Sequence, residues 1–130
     1  MKFLCVVFVD EKKFADMPQD EFQALEDASL GHDQTLRASG HFIAAQALHP
    51  VRTAATVRVR NGKPIITDGP FAETKEQIGG FFILEARDME HAVELMSKHP
   101  AVNGGPSTFE IRPVADLSAM MRDSDRRRGK

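Results

Sequence analysis

The chain has no tryptophan, no tyrosine and a single cysteine among its 130 residues. One thiol has no intramolecular partner, so a disulfide framework is excluded. Cys5 lies inside the apolar run Phe3 to Val9 and reads as a buried packing thiol, not a nucleophile. Without Trp or Tyr there is little on which to stack bases, and a net charge of −2 gives phosphate no general attraction. The basic run Arg126-Arg127-Arg128 stands alone, and no nucleic-acid partner is expected. No apolar run approaches the roughly 20 residues a membrane helix needs, so no membrane partner is expected either. The opening run has only Lys2 before it, is too short for a signal segment with its cleavage site, and ends at Asp10-Glu11. The expected location is cytoplasmic.

The chemistry-bearing motifs are missing too. The five histidines make no H-E-x-x-H and no His-x-His pattern and have no cysteine partner, so no metal is expected. His41 and His49 share a strand parity but would lie about 26 Å apart along a strand, too far to share one ion. There is no G-x-G-x-x-G and no P-loop, and no cofactor is expected. No serine sits on a nucleophile elbow.

What is present suits one domain around one core: 42% hydrophobic and 28% charged residues in 130. Phe3 to Val9 is apolar on both parities, which predicts a strand covered on both faces. Leu4, Val6, Phe8 and Asp10 share one side of it. Asp10 either lines a cleft there or marks where the strand meets water. A helix is expected from Pro18 to Gly40, with Asp20 and Glu21 in the first turn. Phe22, Leu25, Ser29, His32 and Leu36 make a stripe about 80° wide, so Ser29 and His32 face the sheet. His32 is either a satisfied core histidine or a site residue.

His41 to Leu48 reads as a strand. Asn61-Gly62 suits a two-residue type I′ turn joining Ala54–Arg60 to Lys63–Asp68. That turn pairs Val57 with Ile66 and Val59 with Pro64, and places Asp68 opposite Ala55. Phe81 to Ala86 is a further strand. Asp88 caps a second helix that turns Ala92, Val93, Leu95 and Met96 inward, with His99 a surface residue at its C-terminus. Thr108 to Val114 closes the fold. The expected organisation is a domain over residues 1–115, then over 116–130 a short helical turn and a basic, disordered tail. The order is βαββαβ with an extra hairpin strand, an α+β ferredoxin-like sandwich. One sheet face then stays apolar, and a second copy of the chain would cover it, so a homodimer is expected.

The stretch Thr67 to Phe82, TDGPFAETKEQIGGFF, is neither amphipathic helix nor ordinary strand. Gly69-Pro70 punctuates a turn, and Asp68 before it can fold back on backbone N–H groups. Polar residues Glu73 to Gln77 follow, and Gly79-Gly80 reopens the backbone. Such a loop either places charges at a cleft or is a solvated turn.

DGPFAETKEQ followed by GG and an aromatic strand resembles the signature of the DGPF group within the YCII-related family. TxRVRNGK before it, a D-x-x-x-A helix after it and the closing Glu110-Ile111-Arg112-Pro113-Val114 extend the likeness over most of the chain. The resemblance implies a ferredoxin-like fold paired into a dimeric α+β barrel. It also implies, for some relatives, a catalytic His–Asp pair with the histidine on the first helix, and in one branch chloride removal from a hydroxylated aromatic ring. Many DGPF members lie beside extracytoplasmic-function sigma factors, which implies such a factor as a partner.

Two functions of different class follow. In one, a small cofactor-independent lyase or isomerase uses His32 as general acid–base, helped by Asp10 or Asp68, on a small ring-containing or carbonyl substrate. Ser29, Phe71, Glu73 and Lys75 would bind that substrate, with Asp68, Glu73 and Lys75 lining the same cavity as His32. In the other, the loop around Phe71 is the contact surface of a non-catalytic ligand- or partner-binding dimer.

Overall fold

The computed structural model describes residues 1–130. The doubly apolar opening run becomes the inner strand β1 (Lys2–Val9). It pairs antiparallel with β5 (Gln77–Glu85) on one side and β6 (Thr108–Pro113) on the other. Strand β2 (Phe42–Ala47) adds to β5, giving the order β2-β5-β1-β6. That order, with a helix crossing after β2's predecessor β1 and another between β5 and β6, is the ferredoxin-like α+β arrangement. Strands β3 (Ala55–Arg60) and β4 (Lys63–Asp68) form a two-stranded sheet of their own. Asn61 and Gly62 take φ of 53° and 74°, as a type I′ turn requires. Val57 faces Ile66, Val59 faces Pro64 and Asp68 faces Ala55.

Four helices accompany the strands. A short one, α1 (Glu11–Ala15), follows β1 directly, and the Asp10 side chain caps it by accepting from the Lys12 N–H. The long α2 (Gln19–Ala38) has acidic residues in its first turn and ends before Gly40, whose φ is +81°. The third, α3 (Met89–Ser97), is capped by Asp88, which accepts from the His91 N–H at 2.8 Å. The short helical turn expected after Asp116 runs on as α4 (Leu117–Arg127), capped by Asp116, through residues expected to be a disordered tail. Its Arg126–Asp123 and Arg128–Asp125 pairs, each three residues apart, support the helix. No helix is long and apolar enough to cross a membrane.

The core lies between α2, α3 and one sheet face, where Cys5, Leu36, Phe82, Leu84 and Met96 interlock. Burial there pushes the Cys5 thiol up to about 12, which leaves it an inert packing group. A second cluster joins Phe3, Ala86 and Ala92. Val93, expected to point inward, is 47% exposed, because it sits one residue past the inward Ala92 on the helix. On the opposite sheet face Leu4 lies across from Ile83 and Val6 from Phe81, all half-buried with no helix from the core side above them. Strand β5 starts earlier than its aromatic run suggests. A Cβ on Gly80 would come within 2.7 Å of the Gln46 carbonyl oxygen, so the glycine lets β2 and β5 stay paired through this point.

Candidate functional site

The α2 stripe and the segment after α3 meet at a group of three titratable side chains. One ligand atom from each of His32, Asp33 and His99 lies within 4.8 Å of the others. His32 and Asp33 are consecutive residues of α2, both half-buried. His99 follows α3 in a tight turn, where its carbonyl accepts from both the Val102 and Asn103 N–H groups. It is not a surface residue as the sequence suggested, but is 4% exposed. Its ring packs against His32 at 4.9 Å, Phe82 at 5.4 Å and Phe109 at 5.2 Å between centroids.

The Ala101 N–H donates to His99 Nδ1 at 3.1 Å. That nitrogen is therefore an acceptor, and the neutral ring carries its proton on Nε2. Nε2 lies 3.6 Å from Asp33 Oδ1. A divalent cation at this trio would need the Nε2 lone pair, and the Ala101 contact leaves an N–H there instead. The buried atoms His32 Nδ1 and Asp33 Oδ1 have no hydrogen-bond partner. Such orphans are uncommon inside proteins and mark a place to look for a ligand. Burial lowers the His32 pKa, and His99 and Lys98 lower it further, against the raising effects of Asp33 and the Leu95 backbone.

Beside the trio is a cavity of about 350 Å³ between α2 and the sheet. Ser29 and Asp33 line it from α2, Phe82 from β5, and His99 and Phe109 from the far side.

The central loop builds a different place. Gly69 takes φ +98°, a conformation that favours glycine, and its N–H and carbonyl are held by Ala54 and by the Thr56 hydroxyl. The polar run is spent largely on the loop itself. The Thr74 hydroxyl donates to the Glu76 carbonyl at 2.6 Å, and the Gln77 amide donates to the Ala72 carbonyl at 2.6 Å. Glu76 accepts from the Thr108 hydroxyl at 3.3 Å, tying the loop to β6. Lys75 Nζ reaches Asp10 Oδ2 at 3.9 Å, with the lysine 79% exposed and the aspartate side chain 8%. Asp10, Lys13 and Lys75 share an open cavity of about 530 Å³ with Phe8. A neighbouring groove of about 620 Å³ is lined by Phe8, Pro70 and Phe71. Phe71 is 75% exposed, with the Arg58 guanidinium 5.1 Å above its ring.

The candidate residues therefore fall into two groups. Ser29 and His32 lie with Asp33 and His99 on the helix side, where Val7 also lines the cavity. Asp10, Phe71 and Lys75 lie around Phe8, which alternates with Val7 and so faces the other side of the sheet. The carboxylate beside the imidazoles is Asp33; Asp10 caps α1. Asp68 is exposed at the end of β4, and Glu73 is exposed in the loop. Asp33 and His99 were the residues sequence reasoning missed. His99 lies beyond the end of α3 at Ser97, so helical spacing did not mark it; the tight turn after the helix sets its place.

The YCII-related domain family matches residues 1–118. An uncharacterised protein of Rhizobium meliloti (strain 1021) is 38% identical over 68 residues, which are 52% of this chain and 55% of that protein. The chain thus spans little more than half of that relative. Among solved structures, this fold is similar to 5-chloro-2-hydroxyhydroquinone dehydrochlorinase from Burkholderia phenoliruptrix AC1100 in complex with 2,5-dihydroxybenzoquinone. The TM-score is 0.50 at 15% identity, covering 88% of this chain and 94% of that one. At that identity the likeness concerns the fold alone.

Proposed function

The chain belongs to the YCII-related domain family, and from that premise we propose that it is a small cofactor-independent enzyme of the lyase or isomerase kind. Its substrate is a small ring-containing or carbonyl compound held between α2 and the sheet. The observation that carries the reading is the convergence of His32, Asp33 and His99 within 4.8 Å, two of them on the wall of a cavity of about 350 Å³.

In this reading Asp33 assists the imidazoles in the role first expected of Asp10 or Asp68. Asp33 Oδ1 is buried without a donor while the side chain as a whole is 25% exposed, so an acidic O–H or C–H brought to its accessible part meets an incompletely solvated carboxylate. The Nε2–H of His99 faces that carboxylate and stabilises it while it is charged. His32, held below its ordinary pKa by burial, is neutral at pH 7 and free to take up a proton. Ser29, on the same wall, orients the substrate.

A direct test incubates the protein with neutral cyclic ketones and β-dicarbonyl compounds in D2O and follows C–H exchange by proton NMR. The wild type should accelerate exchange of at least one class, and Asp33→Asn should lose about a hundredfold or more of that rate. Exchange that survives both Asp33→Asn and His99→Asn contradicts the assignment.

A second reading rests on the other side of the molecule. Phe71 is 75% exposed, and the hairpin exposes Val57 at 63%, Val59 at 67% and Ile66 at 66% on the face opposite Arg58. Apolar exposure of this kind fits a contact surface, for which a sigma factor is the candidate by family resemblance. Asp10, Asp68, Glu73 and Lys75 would then shape and solvate that surface and not the catalytic centre. In either reading the protein is a homodimer that buries the Leu4, Val6, Phe8, Phe81 and Ile83 face.

A further inference from the structure

The proposed substrate cavity has a charge pattern that narrows what it can hold. Glu26 and Asp33 both line it, seven residues apart on one face of α2, hence about 10 Å apart along the helix axis. No lysine or arginine lines it. Lys98, whose charge is felt at His32, is 68% exposed and paired with Glu94 at 3.9 Å. The remaining polar groups on the wall include Ser29, Gln46 and His99. The same cavity has an aromatic corner, with Phe82 and Phe109 6.2 Å apart and His99 within 5.4 Å of each. Asp33 Oδ1 is buried and lacks a donor.

Each of these features favours the same guest. A carboxylate or phosphate entering the cavity would meet two negative charges and no cation to offset its desolvation. An ammonium group would find two carboxylates and aromatic side chains on the same wall, a combination that attracts cations. A ring carried beside the ammonium would cover the phenylalanines, and its N–H groups would bond the accessible part of the Asp33 carboxylate, whose side chain is 25% exposed. We propose that this cavity is selective for a small ring-bearing amine in its cationic form and excludes anionic ring compounds. The inference rests on the cavity being the substrate site and goes further by naming the charge class of what enters it. The positively charged surroundings of Lys13 and Lys75 lie in the other cavity and do not alter this one.

Three probes of one size and different charge test it: phenylmethanamine, phenylmethanol and benzoate, each titrated calorimetrically into the full chain at pH 7. The expected order is amine, then alcohol, with the amine about tenfold tighter than the alcohol and no saturable heat from benzoate. Glu26→Gln, at an exposed helix position, and Asp33→Asn should each weaken the amine about three- to tenfold and leave the alcohol within about twofold. Benzoate binding as tightly as the amine, with the Ala101 amide resonance shifting, would overturn the charge preference while leaving the cavity as a ligand site. Absence of saturable binding by all three up to about 10 mM, corresponding to less than about 3 kcal/mol, would overturn both this proposal and the placement of the substrate. Equal loss of amine and alcohol affinity in Glu26→Gln would also overturn it, since a charge effect spares the neutral probe.

Discussion

Gly105→Ala probes the support of the histidine–aspartate centre from a position outside it. A Cβ at residue 105 would stand 2.4 Å from the carbonyl oxygens of both Pro100 and Ala101, where attractive contact begins only near about 3.5 Å. The obstacle is backbone on both sides, so one segment must move by roughly 1 Å, and overpacking of that kind costs about 1–3 kcal/mol. The segment that moves carries the Ala101 N–H donated to His99 Nδ1 at 3.1 Å and the Ala101 carbonyl that accepts from Ser107 at 2.9 Å. Weakening either adds about 1 kcal/mol, for a total near 2–4 kcal/mol. Gly31→Ala is the control, because its Cβ meets nothing within 4 Å inside α2, and it should stabilise by up to about 1 kcal/mol. Urea unfolding followed by circular dichroism gives both values. Long-range 1H–15N spectra report which nitrogen of His99 holds the proton. A loss below about 0.5 kcal/mol with the Nε2–H tautomer intact would refute the reasoning.

Two further outcomes are expected. Because the native His32 pKa is lowered, the unfolded chain takes up its proton first as pH falls, so the native state loses stability as the pH drops below about 6.5. His32→Gln should flatten that loss between pH 7.5 and 5.5 in urea unfolding, and an unchanged slope would show that His32 does not carry it. Sedimentation at micromolar concentration should give a dimer, and replacing Val6 by Lys on the helix-free face should give a folded monomer; a monomeric wild type would remove the dimer from the account.

Much of the fold was legible because local signals and tertiary needs agreed. Asn61-Gly62 fixed the hairpin register to the residue, Asp88 marked the start of α3, and the Leu25, Ser29, His32 and Leu36 stripe laid α2 on the sheet. The failures have equally local causes. Helix α1 is five residues long, too short for a period to register. The second half of α4 was hidden by its charges, although their spacing of three supports a helix. His99 was misread because Pro100 ends the helix and an end-of-helix histidine is usually solvated, yet the tight turn carries it back over Phe82. The motif loop drew attention to its charges, whereas Thr74, Glu76 and Gln77 bond chiefly to the loop and to Thr108. Which carboxylate stands beside the imidazoles depends on how α2 meets the end of α3, a long-range packing fact with no period to announce it.

The central claim is that the working cavity lies between α2 and the sheet, beside Asp33 and His99, and not under the central loop. The most direct measurement is a 1H–15N correlation spectrum of the full chain, recorded as a compound active in the deuterium-exchange assay is titrated in. Saturable shifts should centre on the amides of Ser29, Asp33, Ala101 and Phe109, leaving those of Phe71 to Glu76 in place. Shifts confined to Phe71 through Glu76, with Asp33 and Ala101 unmoved, would contradict it.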